Sequence, residues 1–390
     1  MKKYLKKLSS SLLSLLAMGS LAIAASSCTA VFDDEGDCDP KYYVRFVFDM
    51  NMEYADAFKE QVKSVEVWVF DRESQQLVDH VARAGEVLTE ENFMVPIDVN
   101  PGDYHVVAWC NLSGNRHFKV SDGVTHLSHP TVRMERKHDA KSRPTSDEQL
   151  DELFHGIIDI TAPDINEMQG IVHAGDQLPA QTERYGTQTV YNPVCLWDEK
   201  EEKYKVIYTV SLIRNTNNIV LSLEHLSGEF NLDQIGIEMT DNNGTMLHDN
   251  RVDASDEMIT FMPWRLATGT LEQGDATKGF DINDDENADG HYANFLTSEL
   301  STARMTTDHS TTIRIYYKDT DQTVFQIPVN DWISQLRSAK YHSMDEQEYL
   351  DRENNFELMV FLQDDGRGGW TAVSVVINGW HIIDNGTADL

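Results

Sequence analysis

Short runs in which apolar and polar side chains alternate recur along the chain, and this pattern constrains its fold more than any other feature. The runs Tyr43–Asp49 and Val65–Asp71 show it near the N-terminus, and Ile219–Glu224 and Ile235–Asp241 show it in the second half. Because successive side chains of a β-strand point to opposite faces, a period of two predicts strands with one face toward a core. No regular alternation with helical segments accompanies them, which favours antiparallel β-sandwiches over a parallel α/β sheet.

The four runs form a weak internal repeat, since each pair has an alternating strand, a short intervening segment and a second strand followed by a turn. Two copies of one β-sandwich produce such a pattern. The charged segment Asp198–Lys203 lies between the copies and is typical of a domain boundary. We therefore predict an all-β chain with an N-terminal domain at residues 41–203 and a C-terminal domain at residues 204–390, consistent with about 100–200 residues per domain.

Between the strands of the first domain lies a long polar excursion, Ser113–Arg143, rich in His and basic residues. A short helix is predicted after it. Ser146 and Gln149 fit a capping box, Leu150 and Leu153 share one helical face, and Gly156 would end the helix. We expect this segment to serve packing and not chemistry.

The first 27 residues have the composition of a secretory signal peptide. Lysines dominate the start, Leu12–Ala25 is apolar apart from Ser and Gly, and small residues lead into Cys28. The apolar run is shorter than the roughly 20 residues that span a bilayer, and no later segment is long and apolar enough to do so. The pattern predicts a mature protein that is exported and does not cross a membrane.

Cys28 is the predicted site of lipid attachment. The segment Ala25–Cys28 resembles the bacterial lipobox, with Ala25 where Leu is usual. In bacterial lipoproteins this cysteine carries a diacylglycerol, and several acyl chains together give stable anchoring. The alternative is an ordinary cleaved signal with an incidental cysteine nearby.

Residues 28–40 follow as a predicted acidic tether, because the run Asp33–Asp37 is too polar to bury a core. This run is similar to the acidic export tract of surface lipoproteins in Bacteroidota. The resemblance implies a location on the outer leaflet of the outer membrane, facing outward.

The charge of the chain excludes some partners. Removal of the four signal lysines takes the formal net charge from −33 to −37. Such a charge disfavours nucleic acid and anionic lipid as partners and suits a soluble, self-repelling surface.

With Cys28 lipidated, the chain retains Cys38, Cys110 and Cys195. Cys38 and Cys110 flank two candidate strands and would form a disulfide in an oxidising compartment. The alternative is that all three are small buried apolar residues. Their spacings do not match a zinc site.

One motif predicts a metal. Asp285, Asn287, Asp289 and Gly290 match the first half of a calcium loop, in which oxygen ligands alternate and Gly allows the chain to wrap a hard cation. Position twelve is Leu296 and not the usual bidentate Glu, and the alternative is a solvated acidic loop. No other cofactor is predicted.

Catalytic motifs are missing from the sequence. It has no GxSxG elbow, HExxH motif or P-loop, so we predict a protein that is not an enzyme and has no small-molecule substrate. Exposed aromatic rings would instead suit glycan capture, and the tryptophans considered for such a platform are Trp264, Trp332, Trp370 and Trp380. Core packing is the alternative for each of them.

Several segments resemble the FimB-type minor fimbrial anchor subunits of type V fimbriae in Bacteroidota. The block Tyr43–Asp71 is the most specific, and Pro101–Trp109, Arg214–Ile219 and Ile377–Trp380 also resemble the family. The resemblance implies an outer-membrane lipoprotein with two transthyretin-like β-sandwich domains, which anchors a fimbrial shaft and limits its length. Shafts of this family grow by strand exchange, which is a form of β-augmentation.

The leading hypothesis is therefore a fimbrial anchor or accessory subunit at the base of the fimbrium, with shaft or accessory subunits as partners and Cys28 as its membrane attachment. A surface lipoprotein that captures glycans or other extracellular ligands is the alternative from another class. A surface hydrolase is a third, which no motif supports.

Overall fold

Strands dominate the computed structural model, which describes residues 42–164, 185–198, 203–225, 234–272, 292–335, 341–364, 370–377 and 380–382. In these ranges, no helix has the length and apolar character that crossing a membrane requires. The all-β class predicted from the alternating runs is confirmed.

The strands are β1 (Tyr42–Val47), β2 (Ser64–Asp71), β3 (Leu77–Ala84), β4 (Val95–Ile97), β5 (Gly102–Cys110), β6 (Phe118–Val120), β7 (Val132–Met134), β8 (Lys137–His138), β9 (Pro144–Ser146), β10 (Phe154–Ala162), β11 (Val194–Asp198) and β12 (Lys203–Ser211). They continue with β13 (Ile213–Arg214), β14 (Thr216–His225), β15 (Ile235–Asp241), β16 (Thr245–Met246), β17 (Ile259–Phe261), β18 (Arg265–Glu272), β19 (Tyr292–Ala303), β20 (Thr312–Tyr317), β21 (Thr323–Pro328), β22 (Asn355–Asp364), β23 (Trp370–Ile377) and β24 (Trp380–Ile382). The helices are α1 (Phe58–Gln61), α2 (Val329–Gln335) and α3 (Glu346–Arg352), with a 3₁₀ helix at Glu86–Thr89.

The first sandwich packs the sheet β11-β12-β1-β4 against the sheet β13-β10-β5-β2-β3. Alternate residues of β1 face its core, as the sequence predicts: Val44 and Phe46 are buried and Arg45 is exposed. In β2, however, Trp68 and Phe70 are buried as well as Val67 and Val69. The second sheet is covered on both faces, which explains why β2 reads as a nearly continuous apolar run.

The second sandwich consists of the sheets β18-β19-β14-β22-β23-β24 and β21-β20-β15-β17-β9-β8. It repeats features of the first, because β1 pairs in parallel with β12 and β14 pairs in parallel with β22. The weak repeat in the sequence thus has a structural counterpart. Most other strand pairs are antiparallel, as predicted. The parallel pairs depart from that prediction because each of them joins two segments that are far apart in the chain.

The polar excursion between β5 and β10 is packed against both sandwiches. Its strand β7 pairs with β16, and β9, which follows the excursion directly, pairs with β17 in the second sandwich. Phe118, Val132 and Met134 from the excursion share one core with Trp109 of the first sandwich and with apolar residues of the second. The excursion therefore joins the two sandwiches.

The helix predicted at Ser146–Gly156 is wrong. Ser146 ends β9, and Gly156 lies within β10, although Leu150 and Leu153 are buried as expected. A Cβ atom on Gly156 would lie 2.3 Å from Cγ1 of Val210 on the facing sheet. Close approach of two sheets, and not the end of a helix, requires glycine here.

The predicted domain boundary at 203/204 also needs correction. The charged run Asp198–Lys203 links β11 to β12, which pair with each other, and β12 also pairs with β1. Because β13 pairs with β10, both β12 and β13 belong to the first sandwich, and the strands of the second sandwich other than β8 and β9 follow β13 in the chain. A charged composition is compatible with a connection inside a domain as well as between domains, so it did not locate the boundary.

Candidate interaction site

Most of the predicted site residues lie outside the described residues. This applies to Cys28, the predicted lipid site, to Cys38, and to the calcium motif at Asp285, Asn287 and Asp289. The lipid and the calcium ion therefore remain predictions.

Cys110 lies at the end of β5 as a free and fully buried cysteine. Burial in apolar surroundings raises the pKa of its thiol. The structure thus does not show the predicted Cys38–Cys110 disulfide, and because Cys38 is outside the described ranges the pairing stays a prediction. Cys195 is also buried, as expected for a small apolar residue.

A cleft of about 630 Å³ lies beside the first sandwich, and we name it the aromatic cleft. It is lined by the end of β1, by α1, by the segment before β4, and by the hairpin β11–β12. Phe58 stacks between Phe46 and Phe93, with ring centroids 5.8 and 6.0 Å apart. Phe46 and Phe58 are buried and form an apolar base for the half-buried Phe93, the ring of the three that a ligand or partner can reach.

A carboxylate holds this base in position. Asp56 Oδ1 accepts hydrogen bonds from the backbone N–H of Phe48 at 2.9 Å and of Phe58 at 3.0 Å. One side chain thereby ties the start of α1 to the end of the first strand. The short helix α1 needs such a tie, because four residues do not form a stable helix alone.

The hairpin supplies an exposed apolar rim. Leu196 and Trp197 are 41% and 42% exposed, and the Trp197 ring packs edge-on against Tyr204 at 4.9 Å. Beside them, Lys205 Nζ lies 2.7 Å from Asp198 Oδ2 and over the ring of Tyr43. The charges of Lys205 and Asp198 are thus paired with each other.

The tryptophans considered for a glycan-binding platform do not form one among the described side chains. Trp264 and Trp332 are half-buried, Trp332 packing near Phe325, and the side chains of Trp370 and Trp380 are outside the described set. Sequence reasoning missed Trp197, the exposed tryptophan of the aromatic cleft. Its position next to the charged run at 198–203 was the available signal, since charged segments favour the protein surface.

A buried polar cluster lies where α3 meets the first sandwich. Arg304 donates to Asp351 through Nε at 3.0 Å and through Nη2 at 2.8 Å to each carboxylate oxygen. Thr187 Oγ1 and Gln347 Nε2 also donate to Asp351, whose side chain is 0% exposed. Arg352, the next residue, donates to the backbone carbonyl oxygens of Asp49 and Asn51.

His155 lies close to this cluster and is fully buried. Its Nε2 is 2.8 Å from the carbonyl oxygen of His248, and its ring packs against Trp109 at 4.4 Å. Burial lowers the pKa of His155 to about 3, and the charge of Arg304 acts in the same direction. Because a carbonyl oxygen only accepts, the neutral ring carries its proton on Nε2.

A carboxylate–imidazole pair at His105 and Asp159 has structural partners. Asp159 accepts from Tyr185 Oη at 2.7 Å, lies 2.6 Å from His105 Nδ1, and has Arg72 at 3.4 Å. Burial opposes its ionisation, but these contacts outweigh burial and lower its pKa. Among the described residues, no group of three or more His, Cys, Asp or Glu side chains is arranged to hold a metal ion.

The family comparison covers both sandwiches. A model of the family of fimbrillin-A associated anchor proteins Mfa1 and Mfa2 matches residues 34–173 and 177–386. No curated protein sequence matches the chain significantly.

Solved structures share the fold. A candidate adhesin from Bacteroides thetaiotaomicron is 24% identical, with a TM-score of 0.65 over 90% of this chain and 99% of its own. A candidate polysaccharide-binding protein from the same species is 23% identical, with a TM-score of 0.63 over 89% of this chain and 99% of its own. The fimbrial anchor protein Mfa2 from Porphyromonas gingivalis is 15% identical, with a TM-score of 0.55 over 87% of this chain and 98% of its own. At these identities the likeness establishes a common fold.

Proposed function

The chain belongs to the family of fimbrillin-A associated anchor proteins, and from this premise we propose that it attaches a fimbrial shaft to the cell surface as a lipid-anchored subunit of the outer membrane. The observation that carries the proposal is the extent of the family match, which includes both sandwiches. The resemblance to minor fimbrial anchor subunits seen in the sequence is confirmed at the level of the family.

The chemistry of the chain supports this role. Cys28 supplies the membrane attachment, and the acidic residues that follow it join this cysteine to the sandwiches. The partners are fimbrial shaft or accessory subunits, which bind through backbone pairing at a sheet edge, because an edge strand presents unpaired N–H and C=O groups to a second chain. Nucleic acid and small-molecule substrates have no part in this function.

Replacement of Cys28 by alanine tests the anchor directly. The variant lacks the thiol that takes the lipid, so we expect fimbrial subunits to move into the culture medium, with an increase of about tenfold or more over wild type. Immunoblots of cell and medium fractions measure the change. Ser27→Ala, which keeps the thiol, serves as the matched control and should retain its fimbriae. Fimbriae that stay attached at normal length in Cys28→Ala contradict the proposal.

Glycan capture remains a second candidate because of one observation, the exposed Trp197 at the rim of the aromatic cleft. Sugar rings pack their apolar faces on aromatic side chains, and the pairing of Lys205 with Asp198 beside Trp197 suits a neutral, hydroxyl-rich ligand.

A panel of neutral oligosaccharides tests this second function. If the cleft binds one of them, Trp197→Ala should weaken its binding about tenfold or more, since the stacking surface is removed. Isothermal titration calorimetry gives the affinity, and Met258→Ala, at an exposed apolar side chain on the second sandwich, should leave it unchanged. Absence of binding to the whole panel, or binding that survives Trp197→Ala, rejects glycan capture at this cleft.

A further inference from the structure

The edges of the sheets differ in how well they are protected. In the described ranges, β4, β6, β8, β13, β16 and β24 are edge strands of two or three residues each. Such short strands present too few backbone groups to hold a partner chain. The longer edge strands in these ranges are β3, β11, β18 and β21.

β3 carries devices that block the addition of another strand. Its Asp79 Oδ2 accepts a hydrogen bond at 2.8 Å from the backbone N–H of Asp98, and the N–H of Leu77 donates to the carbonyl oxygen of Thr125. The register of its pairing shifts beside Phe70, and Arg83 adds a charge. Neighbouring chain, charges and a bulge are the usual protections of an edge strand.

The remaining edges are protected in other ways. β21 ends in Pro328, has an irregular register near Tyr316, and packs beside β23. β11 is a short strand of five residues, and its Asp198 is held by Lys205. Proline and irregular pairing both interrupt the regular row of backbone groups that a partner strand needs.

Between its terminal residues, Arg265 and Glu272, β18 lacks these protections. It pairs with β19 without a break from Arg265 to Glu272, and β19 is its sole strand neighbour within the described residues. The stretch Leu266–Leu271 contains no charged residue and no proline, in a chain whose formal net charge is −33. Leu266 is 47% exposed, and Ala267 and Thr268 are exposed as well. An uncharged, regular and exposed edge strand is a site for β-augmentation.

Packing across the strand pair keeps this edge in register. Gly269 lies opposite Phe295 of β19, and a Cβ atom on Gly269 would lie 2.2 Å from Cζ of the Phe295 ring. The ring therefore covers the glycine backbone, where an uncovered glycine would weaken the strand. The edge is organised before a partner arrives, which reduces the entropy cost of binding.

We propose that β18 is the edge to which an extended segment of a fimbrial shaft or accessory subunit adds as a further β-strand. The inference rests on the proposed anchor function and names the site of its subunit contact. Backbone hydrogen bonds along Leu266–Leu271 supply affinity. Leu266 and Thr268 lie on one face of the strand, and Ala267 lies on the other, so the partner's alternate side chains meet different surfaces.

Two lysines on β18 test the inference in the full-length protein expressed in its fimbriated host. The Leu266→Lys/Thr268→Lys variant puts positive charge on one face of the edge, and we expect co-purified fimbrial subunits to fall about tenfold or more. The control is Val78→Lys on β3, at a side chain that is also 47% exposed, and it should keep its partners. Both variants should unfold within about 3 °C of wild type, because the new side chains lie at the surface.

A photo-crosslinking residue at Ala267 gives a second readout that does not depend on the lysine variant folding. The expected product contains β18 joined to a fimbrial subunit, with mass spectrometry locating the captured segment, and the same residue at Val78 should capture none. Capture of a second copy of this chain, or of no subunit, overturns the inference. The edge assignment fails and the anchor function stands if Cys28→Ala sheds fimbriae, the lysine variant keeps its fimbrial subunits, and the probe at Ala267 captures no subunit. If the cells that carry Cys28→Ala also keep their fimbriae, the anchor function itself fails.

Discussion

Asp351→Asn should lower the free energy of unfolding by about 3–5 kcal/mol, because it leaves the buried guanidinium of Arg304 without its charged partner. Arg304 and Asp351 make three hydrogen bonds of 2.8–3.0 Å, with side chains 9% and 0% exposed. Burial removes the solvation that would otherwise compensate for a lost ion pair. Equilibrium denaturation of the mature protein in urea, followed by tryptophan fluorescence, measures the change.

The chain offers a matched pair at its surface. Arg265 and Glu299 are 2.9 Å apart, but the arginine side chain is 64% exposed. Water solvates both groups when the pair is broken, so Glu299→Gln should cost less than about 1 kcal/mol. If the two variants lost similar amounts of unfolding free energy, burial would not be the reason that the Arg304–Asp351 pair stabilises the protein.

The second large effect concerns acid. His155 is buried and neutral, with its pKa lowered to about 3, whereas an exposed histidine in the unfolded chain titrates near its ordinary value. Between these two values the unfolded state binds more protons than the folded state. Stability is therefore complete above the unfolded pKa and falls as the pH drops toward the folded pKa. We expect His155 to account for a loss of roughly 3 kcal/mol between pH 7.5 and pH 4.5.

His155→Gln isolates this contribution, because glutamine stays neutral and its amide can donate to the carbonyl oxygen of His248. Other groups titrate in both proteins; burial raises the pKa of Asp241, for example, and so opposes the effect. The measurement is the difference in unfolding free energy between wild type and variant at a series of pH values. Parallel pH curves for the two proteins would contradict the assignment, while a difference that grows with acidity supports it.

Prediction from sequence succeeded where local alternation was sufficient. Val44 and Phe46 face a core and Arg45 faces solvent, as the period of two requires. Trp68 and Phe70 were assigned to the other face of β2 by the same rule, but that face meets the excursion and the second sandwich, so both are buried. Local alternation identifies two faces of a strand and says nothing about what covers the second.

Local signals failed where tertiary packing overrode them. Ser146 and Gln149 match a capping box, yet Ser146 ends β9 and Phe154 begins β10. The backbone hydrogen bonds of these two strands are made by pairing with β17 and β5 and not within a helix. Trp197 was not among the tryptophans considered for a binding platform, since exposure depends on neighbours from other parts of the chain. The Arg304–Asp351 pair, which lies 47 residues apart in sequence, had no motif at all.

The sequence by itself determined the strand character of this protein and its family, because side-chain alternation follows from backbone stereochemistry and the family motifs are read along the chain. It also predicted the lipid at Cys28, a local chemical signal. Tertiary structure decided the rest: the parallel pairing of Tyr42 with Val206, the excursion that joins the sandwiches, and the position of β18 as an edge strand. These depend on contacts between distant segments, and their free energy is set by which surfaces are buried together.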